Sequence, residues 1–163
     1  VNEKSGPGIS PARFLALALW FTAPVGWAFP ALSQAPAQAA VAAPDEKTSL
    51  KLLWSTMAAI DQANKTGNYS VLRDLGTPDF QARNTAAGLA EVFAPIRTQR
   101  VDLSDTLLVA PQYDFAPAIV EGGLLRMRGS FPMRPTAVAF DLLYRWQNGW
   151  RLHAVAIRPT PMQ

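Results

Sequence analysis

The chain has 163 residues, about half of them apolar and only 17% charged, which is the composition of one folded domain rather than a disordered segment. Cysteine is absent and histidine occurs once, which excludes disulfides, thiolate chemistry and any multi-histidine metal site within one chain. A net charge of +3, spread over single residues, does not suggest a nucleic-acid binder, which needs a dense basic face.

Taken in order, the N-terminus comes first. "VNEKSGPGISPAR" places Lys4 and Arg13 ahead of the apolar run Phe14 to Phe29. Small-x-small sites follow at Ala35-Pro36-Ala37 and Ala37-Gln38-Ala39. Positive, apolar, then small is the order of a secretory signal peptide. Pro24 and Pro30 interrupt the run, which argues against a membrane span of about 20 residues. Residues 1–39 therefore read as a signal peptide, 40–45 as a flexible tail and 46–163 as the domain. The mature chain is expected to begin at Gln38 or Ala40 and to be exported. Without cysteines it needs no oxidative folding, and a Gram-negative periplasm fits. Membrane contact is expected only through the leader, if it stays uncleaved.

Asp45 can cap a helix in which Leu50, Leu53, Trp54, Met57 and Ile60 form one apolar stripe, with Gly67 ending it. Asn68 or Ser70 opens a short helix closed by Gly76. Thr77-Pro78 restarts the chain as a cap followed by proline at the first helical position, with Phe80 as its apolar residue. Asn84 or Thr85 begins another helix, with Leu89, Val92, Phe93 and Ile96 on one side. Pro95 should kink or end it, because proline removes a backbone donor.

After Arg100 the apolar period falls from 3.6 to 2. "VDLSDTLLV" reads as a strand, "FAPAIV" as an edge strand limited by Pro117, and "LLRMRGSF" as a third after the Glu121-Gly122-Gly123 turn. "TAVAFDLLYRWQ" and "WRLHAVAIR" form a hairpin about Asn148-Gly149, a dipeptide that accepts positive φ at both positions. A two-residue loop pairs Gln147 with Trp150, Trp146 with Arg151, Tyr144 with His153, Leu142 with Val155 and Phe140 with Ile157. The helices belong on the face of Phe140, Leu142 and Ile157. The other face carries Asp141, Leu143 and Arg145 with Leu152, Ala154 and Ala156. Helices followed by an antiparallel meander make an α+β fold.

That order, with "TGNYSVLRDLGTPDF" after the long helix and "NGWRLHAVAIRP" at the end, resembles the nuclear-transport-factor-2-like superfamily (SnoaL-like, cystatin-like cones) over residues 46–158. The resemblance implies N-terminal helices packed on a curved antiparallel sheet, a conical fold enclosing a pocket. Fold alone does not give function, and the superfamily includes isomerases, cyclases, dehydratases and protein-binding members. No catalytic residue is transferred, because no continuous motif for such chemistry is present.

On this register Tyr144 and His153 adjoin at the pocket mouth, with Arg151 stacking on Trp146 nearer the tip and Trp54 and Phe140 as lining. These six residues are the expected ligand-binding set; no catalytic residue, metal or cofactor is assigned. The competing reading of His153 is a packed neutral ring. Asp61, Asp105, Asp114 and Asp141 read as surface or paired carboxylates. Arg126, Arg128 and Arg134 read either as an anion or acidic-partner patch or as solvent-facing charges that protect a strand. The resulting expectation is an exported, non-catalytic binding module for a small apolar molecule or a protein partner, with homodimerisation through the outer sheet face. The alternatives are a pocket enzyme of the isomerase, cyclase or dehydratase type using Tyr144 and His153, and an envelope assembly subunit.

Overall fold

The computed structural model describes residues 41–162, so the expected leader lies outside the described residues. Helix α1 spans Glu46–Thr66, and the Asp45 side chain caps it by accepting from the Thr48 amide. Gly67, at φ 74°, ends it in the left-handed region. Leu53, Met57 and Ile60 of its stripe are fully buried, each worth roughly 1.5–3 kcal/mol of apolar burial. Four short helices follow: α2 (Ser70–Asp74), α3 (Pro78–Arg83), α4 (Ala86–Val92) and α5 (Ala94–Thr98). Thr77 and Thr85 cap α3 and α4 as expected. The chain breaks at Phe93, and Pro95 sits at the start of α5, where its missing donor costs nothing. Val92 departs from the expected core stripe. The break turns it outward and leaves it 59% exposed.

Residues 101–109 do not form a strand. Leu103–Leu108 is a 3-10 helix whose start is fixed by Asp102, which accepts from the Ser104 amide at 3.0 Å and the Ser104 hydroxyl at 2.6 Å. Thr106 donates to the Leu103 carbonyl at 2.6 Å. Local side-chain bonds of Asp, Ser and Thr have outcompeted sheet pairing here. The alternating pattern is thereby broken, with Leu103 buried and Leu107 53% exposed.

The sheet is open and antiparallel. Its strands are β1 (Gln112–Tyr113), β2 (Ala118–Val120), β3 (Leu124–Phe131), β4 (Thr136–Trp146) and β5 (Trp150–Pro161). β1 and β2 pair with two stretches of β3, then β4 and β5 follow in order. Leu125, Met127 and Phe131 of β3 and Val138, Phe140, Leu142 and Tyr144 of β4 join Leu53, Met57 and Ile60 in one core. The helices therefore cover the expected face, and the fold is α+β.

The hairpin register differs near its tip. Asn148 (φ 55°) and Gly149 (φ 146°) do form the turn, but Trp146 pairs with Trp150, so the loop includes Gln147. Arg145 then faces Arg151, and Tyr144 faces Leu152 rather than His153. An irregularity in β5 at His153 absorbs the extra residue, and Leu142–Val155 and Phe140–Ile157 pair as expected. The shift buries Leu152, 1% exposed, on the helix side instead of the outer face. Placing an aliphatic side chain there is favourable by about 1.5–3 kcal/mol, whereas an imidazole would need partners.

Candidate functional site

Tyr144 is buried under α1. Its hydroxyl lies 2.8 Å from the Thr56 hydroxyl and donates to the Leu52 carbonyl at 3.0 Å. Burial pushes its pKa up, against a smaller lowering from Thr56. An immobilised neutral phenol with both partners supplied by one helix is a packing group. Phe140 is equally committed, stacked edge-on with Tyr113 at 5.8 Å and tilted against Phe131 at 5.4 Å.

His153 sits apart from both. Its Nδ1 lies 3.2 Å from the Thr77 hydroxyl, which also accepts from the Phe80 amide. The hydroxyl proton is then available to Nδ1, which suits a neutral ring with its proton on Nε2. Desolvation depresses the pKa of His153, Arg145 and Arg83 add to the depression, and Asp79 opposes it. The Leu75–Thr77 loop is joined to β5 by two backbone bonds, Thr77 N–H to the Leu152 carbonyl and Leu152 N–H to the Leu75 carbonyl. His153 thus steadies the junction between α3 and the sheet.

The other expected members are scattered too. Trp146 packs edge-on against Trp150 at 5.5 Å, not under Arg151, whose guanidinium reaches the Gly76 carbonyl at 3.4 Å. Trp54, two residues from both Leu52 and Thr56, points to another side of α1, where it lines a groove with Leu50, Lys47 and Lys51. The expected ligand cluster is therefore not assembled. No acid–base couple replaces it among the carboxylates considered. Asp61 is buried with Lys65 at 2.8 Å, and Asp141 is bound by Arg126. Among the described residues, no group of three His, Asp or Glu side chains is placed to hold a metal ion.

Charge instead gathers on the sheet face that the described helices leave uncovered. Strand alternation puts Arg126 and Arg128 of β3, Arg145 of β4, and Arg151 and Arg158 of β5 on that side, against Asp141 and the neighbouring Asp114. Asp141 occupies the centre, opposite Arg128 and Ala156. Arg126 grips it with two bonds, Nε at 2.9 Å and Nη2 at 2.6 Å, and this contact raises the pKa of Arg126. Arg128 bridges to Asp114 at 3.0 Å. Arg145 stands directly opposite Arg151, an unfavourable pair of like charges, and its Nε is buried without a hydrogen-bond partner. Arg134 is not part of this face, because it lies in the turn between β3 and β4.

Sequence reasoning missed Arg145, Arg151 and Arg158 as one surface. The signal was present in their alternation along β4 and β5, but the one-residue error at the tip separated Arg145 from Arg151. Thr56 had no signal, since it matters only through a partner distant in sequence, and Thr77 was legible only as a helix cap, not as the partner of His153. Comparisons with protein-family models, with curated proteins and with solved structures found no match for this chain.

Proposed function

We propose that the chain is an exported, non-catalytic binding module that engages a protein partner through the outer face of its sheet. The observation that carries this reading is the contrast between the two faces of the sheet. On the inner face, Tyr144 and Phe140 are consumed by packing, with the phenol bonded to Thr56 and the Leu52 carbonyl. On the outer face, arginines outnumber carboxylates, and Leu143 and Ala154 are only partly buried. The conical superfamily fold remains part of this reading, as does export to a periplasm directed by residues 1–39. The Tyr144 phenol, bonded by Thr56 and the Leu52 carbonyl and set opposite Leu152 rather than His153, weighs against the enzyme alternative. A second copy of the chain is one form the protein partner can take.

Native mass spectrometry of the protein from its own envelope tests the reading. The expected result is a complex with a protein mass, lost in Leu143→Asp and retained in Val71→Asp, whose site is 63% exposed on α2. A retained small molecule with no protein partner, unaffected by Leu143→Asp, would overturn it in favour of an interior pocket.

A further inference from the structure

The Arg126–Asp141 pair divides the outer face into two depressions of different chemistry. One, of ≈340 Å³, has a floor of Gly129, Ala139 and Ala156 and is flanked by Arg128 and Arg158. Asp114 and Asp141 also line it, and both engage Arg128, at 3.0 and 4.0 Å. Arg158 has no carboxylate partner among the described residues. The other depression, of ≈420 Å³, is lined by Val120, Leu124, Leu143 and Ala154, with Arg126 and Glu121 also contributing. Asp141 and Ala156 belong to both, so the two are continuous.

We infer that this face takes an extended acidic segment of a protein partner, with a carboxylate on Arg158 and an apolar side chain in the Leu143 depression. The inference rests on the protein-partner reading and adds the partner's chemistry. Three observations carry it. The first is charge. Arg158 presents a fork that has no carboxylate partner among the described residues, and the Arg145–Arg151 pair gains relief from any anion set between them. The second is spacing. The depressions are offset along β4 from the region of Ala139 to that of Leu143. That is roughly two to four residues of strand, ~7–14 Å, and same-side side chains of an extended peptide recur every ~7 Å. The third is shape. Both depressions lie on an open sheet face, which suits a chain laid across it better than a small molecule that needs enclosure on most sides. The arginines at the far end, Arg145 and Arg151, then meet a second carboxylate beyond the apolar side chain.

A fluorescein-labelled peptide containing Asp-Thr-Leu-Thr-Asp, titrated with the protein by fluorescence anisotropy, tests this. Binding is expected to weaken about tenfold in Arg158→Gln and to fall steeply between about 0.05 and 0.5 M salt. The Asn-Thr-Leu-Thr-Asn and Asp-Thr-Ser-Thr-Asp peptides should each bind more weakly. Arg134→Gln, exposed but off this face, should bind like the parent. Equal binding of the Asn peptide, or indifference to Arg158→Gln, would overturn the inference. So would phosphatidylglycerol vesicles that bind more tightly than the peptide with the same dependence on Arg158, which would mark a membrane surface as the target. If the peptide fails to bind while Leu143→Asp still abolishes a native protein complex, the acidic chemistry falls and the protein-partner reading stands. If both fail, both fall.

Discussion

The Tyr144 hydroxyl is held by Thr56 and by the Leu52 carbonyl, two groups one helical turn apart on α1. Removing it leaves the Thr56 hydroxyl without its buried partner, so Tyr144→Phe should cost about 1–2 kcal/mol in urea unfolding. An unchanged midpoint would mean that this bond does not tie α1 to the sheet. His153 yields a pH prediction. Its folded pKa lies below the ordinary value of 6.5, so the unfolded chain binds the proton more readily. Its contribution is complete above about pH 6.5 and is lost as pH falls through the folded pKa. The melting temperature should therefore drop more between pH 7.5 and pH 5 in the parent than in His153→Gln. The same drop in both would show that the ring does not titrate differently on folding. The identities of these residues were legible in the sequence and their partnership was not. Pairing Tyr144 with His153 required the loop length, and one extra loop residue separates them.

At the scale of elements, turn chemistry was the more readable part. Asn148 and Gly149 both take positive φ, so Asn148→Val or Gly149→Val should each cost on the order of 1 kcal/mol or more. An unchanged melting temperature in either variant would contradict the turn. Gly129 was not foreseen as special, because its constraint comes from another strand. A Cβ there would meet the Gln112 carbonyl oxygen at 2.1 Å, so Gly129→Ala should displace β1 and cost about 1–3 kcal/mol. Hydrogen exchange faster at Tyr113 than in the parent would locate that damage, and parent-like stability would mean that β1 does not approach so closely. Caps at Asp45, Thr77 and Thr85 could be read directly, since each is a local bond between a side chain and an amide three residues on. The 3-10 segment at 103–108 was misread for a related reason. Its apolar alternation suggests a strand, but Asp102, Ser104 and Thr106 satisfy the backbone locally.

For the molecule as a whole, the sequence foretold which face of the sheet meets the helices, but not the charged surface on the opposite face. Apolar periodicity reports burial, and Phe140 and Leu142 were read correctly on that basis. A charged surface made of residues from three strands has no periodicity of its own beyond strand alternation. It becomes visible only once β3, β4 and β5 are aligned, with Asp141 between Arg128 and Ala156. The central claim is that this outer face, not the interior, meets the partner. The most direct test is a photo-crosslinking amino acid placed at Leu143 on the outer face, or at Val71 on α2, in the chain produced in its native cells. The account predicts a discrete protein crosslink from Leu143 and none from Val71. A crosslink from Val71 with none from Leu143 would contradict it.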